Sequence, residues 1–192
     1  FASVVKARLP KVQLEVLSKV EYLDLARGEA DLALRFRPAA PQGDLINVVS
    51  IEEEAAIHVS RAYAATLPKR PALTDLAWVA WAPPYEEVPP NPQLRALIPD
   101  FKPAFTSDNF LVLLRAAAAG VGAIVLSRSR HRFSLQTNLV PLELPLGPYS
   151  RSAMHLVCAK SALDVPRVRA VADLLVEELR RREPQAATKT RR

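Results

Sequence analysis

Glycine, cysteine, histidine and methionine are scarce in this chain. Its 192 residues hold five glycines, three histidines, one cysteine and one methionine. The glycines stand at 28, 43, 120, 122 and 147. None builds GxGxxG or a phosphate-cradling loop, so a nucleotide site and its cofactor are not expected. Cys158 has no partner for an internal disulfide. Its setting, MHLVCA, reads as a small core residue in a reducing compartment. His58, His131 and His155 are widely spaced and lack an HExxH context, so no metal site is expected. There is no GxSxG elbow, and the chain is read as a non-enzyme, although a scattered Ser, His and Asp could still meet in space. The run Glu52, Glu53, Glu54 reads as solvated. No apolar run approaches the length of a membrane span. No charged-then-apolar leader opens the chain, so a cytoplasmic location without a membrane partner is expected. No internal repeat is found.

Charge of one sign is also nearly absent from the body of the chain. The formal net charge is +6, from 26 basic and 20 acidic residues. Residues 180–192, RRREPQAATKTRR, carry six of the basic residues and one of the acidic, a net of +5. The rest holds 26 − 6 = 20 basic and 20 − 1 = 19 acidic residues, a net of +1. A body that neutral is a poor phosphate-binding surface. The tail reads as a disordered basic end.

What is present is an ordinary globular composition, 49% hydrophobic and 24% charged. The length suits one domain or two small lobes. FASVVKARLP fits a helix end closed by Pro10. VQLEVLSKV alternates through Val12, Leu14 and Val16 and predicts a strand. LDLARGEADLALRF predicts a short helix stopped by Gly28, then a strand. RPAAPQGD is a loop. LINVVSIEEEAAIHVSRAYA predicts a strand, a charged break, a second strand and a helix start. ALTDLAWVAW predicts a short helix and a strand, and the proline-rich APPYEEVPPNPQ a loop. FKPAF is a strand, LVPLELPL an edge strand and SAMHLVCAK a strand. VPRVRAVADLLVEELRRR predicts an amphipathic helix with Pro166 in its first turn. Val168, Val171, Leu174, Leu175 and Leu179 form its apolar side. Helices and strands alternate, which predicts an α/β architecture with mostly parallel strands in two lobes.

One stretch joins polar and apolar chemistry: TSDNFLVLLRAAAAGVGAIVL, residues 106–126. Ser107, Asp108 and Asn109 are favoured helix N-caps. Phe110 to Leu114 leave little room for a polar stripe, so the helix is expected to be buried. Gly120 and Gly122 suit a left-handed stop. AIVL then predicts an inner strand. TSDN caps its helix on the plain reading. On the functional one it also meets a ligand, because ligands of α/β sheets sit where strand ends meet helix N-termini.

GEADLALRF, RAYAATLPKRPALTDLAWVAW, TSDNFLVLLRAAAAGVGAIVLS and MHLVCAKSALDVPRVRAVADLLVEEL occur in this order and spacing. Together they resemble the effector-binding domain of a LysR-type bacterial transcriptional regulator, over almost all of residues 1–182. The resemblance implies two Rossmann-like α/β lobes of periplasmic-binding-protein type, joined by two crossover strands. Lobe one would be residues 1–57 plus 153–182, lobe two residues 58–152, and residues 183–192 the tail. A small effector, suited to be a carboxylate, would bind in the cleft between lobes. The helix over 108–119 would turn its N-terminus to that cleft, with Ser107 and Asn109 as contacts and Asp108 serving the helix. Lobe one would offer Lys19, Val20, Glu21 and Arg35, and Trp81 would form a wall. Lys19 and Glu21 have the alternative of plain solvent residues, Arg35 of an ion pair, Trp81 of core packing. The resemblance further implies a homodimer, a tetramer in the full-length protein, and DNA contact only through an N-terminal domain outside this sequence. The first strand of lobe one is also outside it. A stand-alone small-molecule binding protein of the periplasmic type is the alternative function.

The charge distribution makes one outcome testable. A chain ending near Glu178 is expected to show no sequence-selective DNA binding at physiological salt. Fluorescence anisotropy checks this, and weak binding lost on trimming the tail is the expected behaviour of the full chain.

Overall fold

A computed structural model describes residues 1–40, 43–128, 130–131 and 138–183. The chain divides into two compact units. Unit 1 comprises Phe1–Glu53, Ser129–Ser134 and Ser152–Arg192, and unit 2 comprises Glu54–Arg128 and Leu135–Arg151. The secondary structure is mixed α/β.

Unit 1 is built on a sheet packed against one helix. Helix α1 spans Ala2–Arg8 and strand β1 spans Ala33–Arg35. Strand β2 runs Leu45–Ser60, so its first part lies in unit 1. The lateral order in the sheet is β1, then the strand Arg151–Ala159, then β2. Helix Pro166–Arg180 covers one face through the buried residues Val168, Val171, Leu174, Leu175 and Leu179. Its Leu175 and Leu179 share a core with Ile51 and Leu156. The predicted apolar side of this helix is the buried one, and Pro166 stands in its first turn, where its missing N–H costs nothing. On the other face Leu25, Ala39 and Val157 form a smaller core. Cys158 is fully buried, and burial pushes its thiol pKa up.

Unit 2 continues from the second part of β2. Helix α2 (Arg61–Ala64) follows, capped by Ser60, whose Oγ accepts from the N–H of Tyr63 at 3.1 Å. Strand β3 is Val79–Trp81, helix α3 Asn91–Leu97 and strand β4 Phe105–Ser107. Helix α4 is Phe110–Ala118, strand β5 Ile124–Ser127. A short β6, Arg130–His131, is followed by β7, Leu139–Leu142. The strand Arg151–Ala159 is thus β8 and the last helix α5. Arg182–Glu183 forms β9 and pairs with β6, and residues 184–192, the remainder of the expected tail, lie outside the described residues. Ile57 and Val59 of β2 are fully buried with Leu76, Trp78, Leu94 and Ile98. A second core joins Val79, Leu113, Leu114, Ala117 and Ile124.

Several expectations are corrected. The strands are not mostly parallel: β1 pairs antiparallel with β8, and β2 antiparallel with both β5 and β7. The pair β3 with β4 is parallel, extended by a parallel bridge from Trp78 to Ala123. The alternation of helices and strands carried no information on strand direction. The charged break in β2 does not exist. EEE continues the strand, and its period of two turns Glu53 inward while Glu52 and Glu54 stay exposed. Residues 12–20 form no strand despite their alternation, and 13–20 make no backbone–backbone hydrogen bond among the described residues. An alternating pattern becomes a strand only when another strand pairs with it. Residues 25–28 are turns rather than a helix. The proline-rich loop ends in α3, because Pro92 sits in its first turn and is tolerated there. Helix α4 is not buried all round. Leu113, Leu114 and Ala117 face the core, but Phe110, Leu111 and Val112 are 44%, 56% and 45% exposed.

Gly120 and Gly122 are needed for different reasons. Gly120 has φ +86°, the left-handed stop that its sequence position predicts. Gly122 has no positive φ. A Cβ there would lie 2.5 Å from the backbone oxygen of Ala77, at the bridge where the N–H of Ala123 donates to that same oxygen at 2.7 Å. Gly122→Ala must therefore push two backbones apart. It is expected to lower unfolding free energy by about 2 kcal/mol or more, on the scale of an overpacked core. Gly120→Ala is expected to cost about 1–2 kcal/mol for left-handed geometry. Urea denaturation of both variants checks the order.

Candidate functional site

The polar stretch before α4 sits at the carboxyl ends of two parallel strands. In the β3–β4 register Trp81 lies opposite Ser107. The N–H of Ala82 donates to the carbonyl of Ser107 at 3.0 Å, which ties the chain leaving β3 to the end of β4. The N-cap of α4 is Asn109, not Ser107. Its Oδ1 accepts from the N–H of Leu111 at 2.9 Å and of Val112 at 3.4 Å. Ser107 acts one step earlier: its Oγ accepts from the N–H of Asn109 at 3.1 Å and holds the entry turn. Asp108 is exposed. Two first-turn N–H groups are thereby occupied by the cap, fewer free donors than the residue types alone suggest.

Trp81 is held at this end of unit 2 by contacts with four residues that sequence reasoning missed. Its indole N–H donates to the carbonyl of Pro89 at 3.1 Å. The buried side chain of Asn91 brackets its backbone, Oδ1 accepting from the Trp81 N–H at 3.1 Å and Nδ2 donating to the Trp81 carbonyl at 3.0 Å. Its ring meets Tyr85 edge-on at 5.9 Å and Phe110 at 6.3 Å. Tyr85, Phe110 and Trp81 thus form an aromatic group against the first turn of α4. Nothing marked Asn91 in advance, since it stands among prolines. Phe110 was visible in the sequence but read as core.

The unit 1 residues fall in two places. Lys19 and Glu21 are exposed, Val20 is half-buried, and all three lie in chain without regular structure. Arg35 ends β1 and is half-buried. Its guanidinium carbon lies 5.4 Å from the centre of the Tyr22 ring, with that of Arg37 at 5.6 Å from the same ring. Opposite Arg35 in the ladder stands His155, whose Nδ1 is 2.8 Å from Oγ of Ser50. Ser107, Asn109 and Trp81 are brought together within unit 2. Arg35 has its own polar neighbourhood in unit 1. Among the described residues no group of three His, Cys, Asp or Glu side chains could hold a metal ion. None of the described helices is long and apolar enough to cross a membrane.

Ion pairs elsewhere are structural. Arg128 lies 3.2 Å from Glu54 and 3.0 Å from Glu143. Its hydrogen bond holds the Glu143 carboxyl below the usual range, while Glu143 remains largely exposed. Arg8 bonds Glu177 at 2.7 Å, which fastens α1 to α5 and lowers the Glu177 pKa. Arg181 also pairs with Glu177.

These features define an α/β domain of periplasmic-binding-protein-like fold. The chain belongs to the LysR substrate binding domain family, whose family model matches residues 3–180. None of the curated proteins matches it. Among solved structures it is similar to the regulatory domain of CrgA, a LysR-type transcriptional regulator from Neisseria meningitidis. The TM-score is 0.69 at 21% identity, covering 93% of this chain and 89% of that one. It covers 62% of the chain in a second structure of CrgA. It is also similar to the effector domain of the transcriptional regulator AmpR of Pseudomonas aeruginosa, with TM-score 0.64, 18% identity and coverage of 92% and 86%. A further similar structure is the effector binding domain of QuiR in complex with shikimate, at TM-score 0.54 and 14% identity, covering 82% of this chain and 76% of that one. At these identities the likeness is one of fold.

The cap assignment is testable without any ligand. Asn109→Ala is expected to lower stability by about 1 kcal/mol, the usual cost of an N-cap. Ser107→Ala, which loses one exposed turn bond, is expected to cost about 0.5 kcal/mol. Thermal melts of the two variants decide; the reverse order would return the cap to Ser107.

Proposed function

We propose that this domain is the ligand-sensing module of a LysR-type transcriptional regulator. It binds a small effector, best suited to be a carboxylate, and passes the signal to a DNA-binding domain of the parent protein. The observation that carries this reading is the family match over residues 3–180. In unit 2 the proposed contacts are Ser107 and Asn109, with Trp81 as an aromatic wall. In unit 1 they are Lys19, Val20, Glu21 and Arg35. The aromatic group of Trp81, Tyr85 and Phe110 beside a helix start supports an effector with a flat apolar body and a polar end. The domain works as a binder rather than a catalyst, in the cytoplasm and as a homodimer that becomes a tetramer in the full-length protein. DNA is reached only through the parent's N-terminal domain.

Thermal-shift screening against small carboxylates and aromatic acids tests the reading. A ligand at 100 times its Kd stabilises the folded state by about 2.7 kcal/mol, which raises Tm by several degrees. Ser107→Ala is expected to weaken the ligand found by about tenfold in calorimetric titration, the worth of one charge-assisted hydrogen bond. A screen in which no organic acid raises Tm, together with a parent reading frame lacking an upstream helix-turn-helix, would overturn the sensor reading. A ligand bound unchanged by Ser107→Ala would reduce TSDN to a helix start.

A further inference from the structure

Strand β1 carries its side chains in an inverted sense. Leu34 and Phe36, the large apolar neighbours of Arg35, are 45% and 66% exposed, while the cation between them is turned into the unit. Arg35 shares its face of the sheet with Ala33, Val157 and His155, the face of the small core of Leu25, Ala39 and Val157. Arg35 stands opposite His155 in the β1–β8 ladder, and His155 Nδ1 lies 2.8 Å from Oγ of Ser50 on β2.

Two nitrogens of Arg35, Nε and Nη2, are buried and have no hydrogen-bond partner. These two belong to the same edge of the guanidinium. Their N–H bonds point side by side, the fork that accepts both oxygens of a carboxylate or phosphate. One face of the group is already used, since the Tyr22 ring lies 5.4 Å from it. Arg37 adds a second guanidinium on the same ring, so positive charge is concentrated here. Buried unpaired donors on a cation are costly, and a structure that keeps them has a partner for them.

We infer that the Nε/Nη2 fork of Arg35 is an oxyanion site in unit 1 and takes the acid group of a small ligand. The inference deepens the sensor reading and rests on it for taking that acid as the effector's own. Tyr22 lies against the guanidinium, and the two donors of its buried edge, unbonded within the protein, are the pair that takes two oxygens in its plane. His155, with Nδ1 held by Ser50, lines the same face. A carboxylate and a phosphate share the chemistry the fork selects, and the two are separated by experiment.

The full chain, 15N-labelled, is titrated with sodium acetate, with sodium phosphate and with sodium chloride at constant ionic strength. The Nε–Hε resonance of Arg35 is followed, identified by its loss in Arg35→Lys. A saturable downfield shift with acetate, absent with chloride, is expected. Saturation with phosphate alone would identify a phosphate ligand at the same fork. A response to both oxyanions that is linear and equal to that of chloride would overturn the site. For an organic acid found by the thermal screen, Arg35→Lys keeps the charge but loses the fork, and affinity is expected to fall about tenfold. Equal affinity in that variant would overturn the assignment of the fork to the effector while leaving the sensor reading intact. A saturable acetate shift in a chain that no organic acid stabilises would do the reverse.

Discussion

Backbone pairing along β2 is the constraint on which the rest of the structure depends. Its sixteen residues continue from unit 1 into unit 2 without a break. In unit 1 it is the neighbour of β8, and its Ile51 enters the core beneath α5. In unit 2 it lies between two strands. Ile57 is opposite Val125 on β5 and Leu142 on β7, and His58 is opposite Ile124 and Pro141. Pro141 lacks a ladder donor, which an outer strand tolerates and a central one does not. Both units therefore take their register from one stretch of chain. A one-residue slip would swap Ile57 and Val59 with Ala56, His58 and Ser60 between two buried faces and bring Glu52 and Glu54 to the side of Ile51.

That constraint also explains what was legible in advance. Helix α5 was readable because Pro166, the apolar spacing of Val168 to Leu179 and the terminal arginines all specify one helix. The same holds for β8, a buried run with no competing pattern. The turn after α4 was half readable. Gly120 announces a left-handed stop, whereas the need for Gly122 lies in Ala77, more than forty positions away in the chain. Strand direction was not readable, because pairing is a relation between segments and leaves no mark in either. Residues 12–20 show the same limit from the other side, a strand pattern with no ladder.

The candidate site was legible in residue type and not in role. TSDN was recognisable as a helix start, but three consecutive capping residues leave open which one caps. Geometry gives that work to Asn109 and the preceding turn to Ser107. Trp81 was visible as an aromatic at a strand end. Its fixed position depends on Asn91, whose amide satisfies both backbone groups of the tryptophan. A polar side chain buried among prolines is unremarkable in sequence and specific in structure.

The places where local rules fail are informative because the rest of the chain obeys them. Helix α4 exposes Phe110, Leu111 and Val112 in its first turn, while the residues one turn later are buried. Strand β1 exposes Leu34 and Phe36 and withdraws Arg35. Both lie at the ends of elements, next to aromatic rings that hold a polar group in one orientation: Trp81 and Tyr85 in unit 2, Tyr22 in unit 1. Under the proposed sensor role, a ligand that covers the apolar turn or fills the fork would recover the stability given up there, and the difference between empty and occupied states would be the free energy available to transmit.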